Sequence, residues 1–318
     1  MPNNHPAMPP LNDSTALIGD RAALAAAMDR DGYWFFRGVL DREALARLKT
    51  RYMAVLHEMG VVDADATDPV WNGASLDAFP EKIEPLHAAR TWRNFVAEPA
   101  IHAFFTRLLG APPFWIPSVE YRITPPKLHA VNDELTGRHQ DGFANGGMRL
   151  MTCWVPINPI DASMGGLTMA QGLQHGGMLH DLNDVPRHRI PDGTIPDDVW
   201  HRSDYLPGDL VMFCPEIPHS GMVNHSRNFR LSMDVRVMRM DDAALPAVGN
   251  VVEIADDHVV VANHDGRDLQ LVLDENTYCR GTSGARIPLP EMVARLQPGD
   301  PVIVPFVDDR AVLLRPQR

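Results

Sequence analysis

Cysteine is scarce in this chain. Cys153, Cys214 and Cys279 are the only three among 318 residues, they are far apart, and no CxxC pair occurs. An odd number at such spacing forms neither a disulfide framework nor a cysteine zinc site, and it fits a reducing cytoplasm. Each is expected to be a small buried apolar residue. Long apolar runs are missing too: no stretch reaches the roughly 20 residues of a membrane-spanning helix. The opening MPNNHPAMPPLNDS has no basic and then apolar run of the secretory kind, and residues 1–15 read as a flexible, Pro-rich arm. Positive charge is in short supply, with 29 Lys and Arg against 41 Asp and Glu and a net charge of −12. That balance argues against bulk electrostatic binding of nucleic acid or acidic membranes. A cytoplasmic protein acting on a small molecule is expected, with self-association left open.

Apolar residues make up 45% of the chain, ample for one large core beside a smaller one. The first third reads as largely helical. Asp41 can cap a helix that runs from Arg42 through Leu45, Leu48, Met53 and Leu56 to a terminating Gly60. Ahead of it, Asp31-Gly32 is a turn feeding a short aromatic strand, Tyr33-Trp34-Phe35-Phe36. Another helix is expected over residues 100–109, stopped by Gly110 and Pro112-Pro113. From Trp115 onward the texture changes to short β segments punctuated by Pro, Gly and Asp. These cover residues 114–124, 148–157, 166–170, 209–213, 220–224 and 229–238, with no helices alternating between them. The pattern predicts a mainly β fold with flanking helices, its core a double-stranded β-helix (a cupin-like jelly roll) rather than a parallel sheet. Residues 189–200 are expected as a surface excursion. Residues 241–249 form a short acidic bridge, and 250–318 read as a small β-barrel domain with hairpin turns at Asp265-Gly266 and Asp308-Asp309. The main domain then spans 16–240. No convincing internal repeat is present.

The chemistry-bearing residues cluster in the β region. In a chain with 14 histidines, chance alone yields about one His-x-Asp triplet, so His139-Gln140-Asp141 means little by itself. Residues i and i+2 of an extended segment point the same way, however, so both side chains can reach one ion. Downstream, Pro207 to Phe213 reads as a turn and a buried strand. Pro218 then holds His219 at the start of the next one. Two imidazoles and one carboxylate can bind Fe(II) on one face and leave the opposite face open. The strand Asn228–Val237 alternates cleanly: Phe229, Leu231, Met233, Val235 and Val237 share one face, and Arg230, Ser232, Asp234 and Arg236 share the other. A polar face of this kind meets water, or it lines the mouth of a barrel that binds a polar co-substrate. In the second case Arg230 can grip a carboxylate with two hydrogen bonds, and Ser232 adds a hydroxyl.

Taken as a set, Asp31 to Met240 resembles the phytanoyl-CoA dioxygenase family of Fe(II)/2-oxoglutarate oxygenases, which includes ectoine hydroxylase-like enzymes. The resemblance is carried by the Gly32–Leu40 opening, Arg138-His139-Gln140-Asp141 and Trp154-Val155-Pro156-Ile157. It continues through Gly165-Gly166-Leu167, Gly208-Asp209, His219 and Arg230-x-Ser232. Gln171 and Leu173 stand where the family carries Pro and Ser. The resemblance implies that His139, Asp141 and His219 ligate iron, that Arg230 and Ser232 hold the distal carboxylate of 2-oxoglutarate, and that dioxygen takes the remaining position. Tyr121 or Arg122 falls where relatives place another co-substrate contact, and the residues do not choose between them. Arg122, Lys127, His129, Phe143, Arg149 and Trp154 lie near the expected mouth as substrate contacts, and residues 125–137 could act as a lid. Related halogenases leave the carboxylate position vacant for chloride, so Asp141 favours hydroxylation or desaturation. The implied activity is oxidation of a small molecule with release of succinate and CO2. A metal-dependent jelly-roll isomerase or hydrolase, and a non-catalytic binding module, are the alternatives.

Overall fold

A computed structural model describes residues 8–128, 135–181, 183–184, 189–282 and 285–317. The N-terminal part is helical: α1 (Arg21–Asp31), α2 (Arg42–Glu58), α3 (Glu84–Ala88), α4 (Thr91–Ala97) and α5 (Pro99–Leu109). The Asp41 carboxylate accepts the Ala44 N–H at 2.8 Å, the cap the sequence predicts for α2. Gly110, at φ +69°, ends α5 in the left-handed region that a side chain resists. Helices α3 and α4 are too short to show a periodicity.

Eight strands build the central fold: β1 (Tyr33–Phe36), β2 (Pro113–Thr124), β3 (Met151–Pro156), β4 (Gly166–Ala170), β5 (Trp200–His201), β6 (Leu210–Phe213), β7 (His219–Met222) and β8 (Arg230–Arg239). A five-stranded sheet runs β1-β6-β3-β8-β2, and a three-stranded sheet runs β5-β4-β7. Their inner faces pack through Phe35, Trp154, Val211 and Phe213 against Leu167 and Met169. This is a jelly roll, as the spacing of the strands predicts. The helices cover the outer face of the larger sheet. There Leu231, Met233, Val235 and Val237 of β8 and Cys153 and Val155 of β3 bury against Leu45, Leu48, Leu56, Phe95 and Phe105. Period-two alternation therefore turns Thr152 and Trp154 of β3, and Arg230, Asp234 and Arg236 of β8, into the space between the sheets.

The excursion over 189–200 is less exposed than its composition suggests. Ile190, Ile195 and Trp200 bury against Ala170 in a small cluster of their own. The bridge expected over 241–249 is shorter than its Ala/Pro content implies, because β9 (Ala247–Ile254) already begins within it. Seven further strands follow: β10 (His258–Asn263), β11 (Asp268–Val272), β12 (Tyr278–Cys279), β13 (Pro301–Val304), β14 (Phe306–Val307), β15 (Arg310–Ala311) and β16 (Leu313–Pro316), with α6 (Leu289–Arg295) between β12 and β13. Together these strands run β12-β16-β13-β9-β10-β11-β15-β14 around a separate apolar cluster that includes Val259, Val261, Leu271, Met292 and Leu314. Cys153 and Cys279 are buried and Cys214 is partly buried, all as free thiols.

Asp209 ties the turn after β1 to the turn before β6. Its carboxylate accepts the N–H groups of Gly38 and Leu206, each at 2.9 Å, and pairs with Arg37 at 2.9 Å. It is 2% exposed, so its removal leaves donors with no acceptor in a dry environment. Asp209→Ala is expected to cost on the order of 3 kcal/mol of stability, read from the midpoint and slope of urea unfolding. An unchanged midpoint would show that water replaces the carboxylate.

Candidate metal centre

His139 and His219 meet across an isolated antiparallel bridge that extends the smaller sheet beyond β7. The His139 N–H donates to the His219 carbonyl at 3.0 Å, and the His219 N–H returns the bond at 2.9 Å. Their rings lie 4.2 Å apart. In each, Nδ1 faces a backbone carbonyl two residues upstream, Gly137 O at 2.8 Å and Ile217 O at 3.1 Å. A carbonyl accepts only from a protonated nitrogen, so Nε2 is left with its lone pair in both rings. Both Nε2 atoms stand 3.9 Å from Oδ1 of Asp141. Among the described residues this is the one such cluster, with all three donor atoms within 4.8 Å of one another.

Pointing residues 139 and 141 the same way takes extended backbone through the triplet, and the backbone is extended only to Gln140. Asp141 opens a short 3-10 turn, Asp141–Ala144. The extended Gln140 is enough to place residues 139 and 141 on one side, and it sends its own amide the other way. That amide donates to Gly177 O and Glu216 O at 2.8 and 2.6 Å and accepts the Leu179 N–H at 2.8 Å. The Gln140 N–H donates to Nε2 of His180 at 2.9 Å. His180 thus supports the triplet without joining it. Only one carboxylate oxygen of Asp141 faces the histidines. The other accepts from Oγ1 of Thr152 at 2.6 Å and lies 3.5 Å from an Arg236 nitrogen.

Burial pushes the His139 imidazole down to about 3, helped by His219 and opposed by Asp141. Burial also lowers His219. For Asp141 burial acts upward, yet Arg236 and the two imidazoles outweigh it and hold the carboxyl below the usual carboxylate range. Near neutral pH the cluster therefore presents two neutral imidazoles and one carboxylate, the ionisation state that a divalent cation requires. The donor set, its fixed tautomers and its single free carboxylate oxygen fit an Fe(II) ion.

The cleft around this cluster is lined by Arg122, Leu135, Thr136, Trp154, Leu167, Phe213, Arg230, Asp234 and Arg236, among others. Arg122 pairs with Asp234 at 2.7 Å. Arg230 is 3% exposed and makes no ion pair among the described residues; its Nη1 donates to the carbonyls of Met164 and Met222 at 3.0 and 2.7 Å. Burial, and then Arg122, lower its pKa to about 9, which leaves it charged at neutral pH. Ser232 lies between Arg230 and Asp234 on the strand, with its hydroxyl buried and without a hydrogen-bond partner among the described residues.

Of the substrate and co-substrate contacts expected from sequence, Arg122 and Trp154 line the cleft. Tyr121 does not: it faces the helices, where its hydroxyl accepts the Trp92 N–H at 2.8 Å and its ring meets Tyr52 and His87. Alternation along β2 sends 121 outward and 122 inward, so of the two Arg122 is the one that lines the cleft. Phe143, inside the turn that begins at Asp141, stacks on His180. Lys127 is exposed on the surface, and Arg149 is exposed in a separate groove with Arg21 and Trp34. His129 and residues 130–134 of the expected lid lie outside the described residues. Leu135 and Thr136, at the lid's end, do line the cleft. His175 sits on the surface beside Asp29, away from the cluster. The sequence reading did not single out Thr152 and Gln140, which hold the ligands. Asp234 and Arg236 were legible only as members of the polar face of β8.

No protein-family profile matches the chain. It is 28% identical over 238 residues to the 1-deoxypentalenic acid 11-beta-hydroxylase of Streptomyces exfoliatus, a match covering 71% of this chain and 83% of that protein. The enzyme of the same name from Streptomyces arenae is 28% identical over 239 residues, with the same coverage. Among solved structures, EctD from S. alaskensis in its apoform superposes with a TM-score of 0.50 at 16% identity, covering 75% of this chain and 83% of that one. That likeness concerns the fold.

Two measurements test the centre. Replacing Thr152 by Val removes the donor that orients Asp141, and metal affinity is expected to fall by about tenfold to a hundredfold, followed by titration with Co(II). Metal binding at pH 7 is expected to release almost no protons, because the ligands already hold their binding forms. Calorimetry in buffers of different ionisation enthalpy checks this, and a full proton released per ion would contradict the imidazole assignment.

Proposed function

We propose that the protein is an Fe(II)- and 2-oxoglutarate-dependent dioxygenase that hydroxylates a small organic molecule. One observation carries the reading. A buried guanidinium with no carboxylate of its own, Arg230, shares a cleft with a His-Asp-His cluster whose free donor atoms converge. A buried unpaired charge is costly unless a ligand completes it. A chelating dicarboxylate does so with one end on the metal and the other on Arg230. The relatives named as hydroxylases, and the jelly-roll fold, support the same reading.

In this reading iron and 2-oxoglutarate, when bound, supply the oxidising power drawn from dioxygen, with succinate and CO2 released. The chain does the rest. His139, Asp141 and His219 hold the ion on one face, and Thr152 and Arg236 fix which carboxylate oxygen is offered. Arg230 receives the distal carboxylate, and the buried Ser232 hydroxyl stands beside it. Trp154, Leu167 and Phe213 exclude water from the reacting centre and give the substrate an apolar surface. The relatives are named for acting on 1-deoxypentalenic acid, which supports a small-molecule role here. Residues 16–240 carry this chemistry, and the C-terminal sheet is an added unit.

Asp141→Ala is expected to abolish succinate formation. Arg230→Ala should mainly raise the 2-oxoglutarate requirement, by on the order of 2–4 kcal/mol in binding. Succinate release measured against 2-oxoglutarate concentration, with and without Fe(II), separates the two variants. Full turnover by Asp141→Ala would sink the assignment.

A further inference from the structure

Two residues that fix the metal-facing carboxylate stand at the two ends of one loop. Asp141 opens it, and Thr152, whose hydroxyl donates to Asp141 Oδ2 at 2.6 Å, closes it as part of β3. The first end is pinned where the Gly142 N–H donates to Pro215 O at 2.7 Å, and the second by the place of β3 in the larger sheet. Between them, residues 145–150 belong to no helix or strand. A stretch without a hydrogen-bonded ladder keeps its place largely through what its side chains bury against.

Here they bury against the C-terminal sheet. Met148 and Leu150 pack with Ile303 of β13 and with Leu245 and Val248. The same cluster takes in Phe114 and Ile116 of β2 and Met238 of β8, so Ile303 ties the loop to the ends of two strands whose other parts line the cleft. The His264 ring, 4.5 Å from that of Phe114, adds another contact between the C-terminal sheet and β2. At Gly146 the approach is closest. Its φ of +61° lies in the left-handed region, and a Cβ built there would lie 2.8 Å from Cβ of the buried Leu313, in β16, and 3.4 Å from its Cδ2. Gly147 is the contrast: its φ is +72°, and a Cβ there would meet nothing within 4 Å. The backbone demand is alike at the two positions, and only Gly146 has the sheet against it.

Among the described residues, none past Arg236 lines the cleft, so the sheet can reach the metal centre only through this loop. We propose that the C-terminal sheet braces the metal centre, with Leu313 and Ile303 as positioning residues. They hold the 141–152 loop so that Thr152 stays opposite Asp141 and one carboxylate oxygen faces the histidines. A donor atom displaced by about half an ångström no longer suits the ion. The proposal rests on the metal centre and is independent of the co-substrate.

Co(II) is titrated into the full-length protein and followed by its visible absorption bands, which report ligand geometry as well as affinity. Gly146→Ala, which drives a methyl group into Leu313, is expected to weaken Co(II) by about tenfold and to shift the bands. Gly147→Ala, with the same backbone strain, should leave both as in the wild type. Leu313→Ala should weaken Co(II) by a similar factor, and Leu313→Met should restore it. Leu271→Ala, in the separate core of the sheet, is expected to lose comparable stability and to bind Co(II) normally. Equal effects of the two glycine variants, or of Leu313→Ala and Leu271→Ala, overturn the proposal. The wild type gives a test that needs no variant to fold. Coupling between two sites is reciprocal, so bound Zn(II) should slow amide hydrogen exchange in β13 and β16; exchange there that ignores Zn(II) overturns the proposal. Wild-type protein that binds neither ion overturns the metal centre and this proposal with it. Tight binding that is indifferent to Gly146 and Leu313 overturns this proposal alone.

Discussion

The reciprocal backbone bonds between His139 and His219 are the constraint on which the site depends. They join two segments far apart in sequence and set the two rings side by side before any side chain is considered. Each ring is then locked by a carbonyl two residues upstream, so that tautomer and orientation follow from main-chain geometry. Asp141 needs only one extended residue between itself and His139 to reach the same point. A metal site built this way relies little on flexible side chains, which suits donor atoms that must converge on a single ion.

Strand β8 supplies the second half of the site through simple alternation. Leu231, Met233, Val235 and Val237 bury under the helices, and Arg230, Asp234 and Arg236 carry charge into the cleft. Burying Arg230 and Arg236, with Arg122 partly covered beside them, is costly, and the structure limits that cost in two ways. Arg122 and Arg236 lie against carboxylates, while Arg230 donates to main-chain carbonyls that satisfy part of its hydrogen-bonding capacity without neutralising it. The same strand thereby holds the fold together on one face and keeps an electrostatic demand open on the other.

Much of this was legible in the residues. The cap at Asp41, the aromatic strand after Gly32, the jelly-roll strands and the alternation of β8 all express local periodicity or turn chemistry, and the structure has them. The convergence of His139, Asp141 and His219 could be anticipated because the order of the motifs resembles a known family. What was not legible depends on tertiary neighbours. Nothing local marks Thr152 as the partner of Asp141, or Gln140 as an anchor for Gly177, Leu179 and Glu216. The choice between Tyr121 and Arg122 required the face of β2, which an irregular register between Ile116 and Glu120 obscures.

The pairing of β1 with β6 sets Tyr33 opposite Phe213, and β2 closes the sheet by running beside β8 from Pro113 opposite Arg239 to Thr124 opposite Arg230. A strand formed early in synthesis therefore waits for a partner made much later. High contact order of this kind slows folding and leaves aromatic residues exposed meanwhile. On the ribosome, the capped helix α2 can form early, but the cleft cannot. Its metal ligands and its buried arginines come together only once β8 has emerged, so a nascent chain cut short before that strand would carry the histidines without the site.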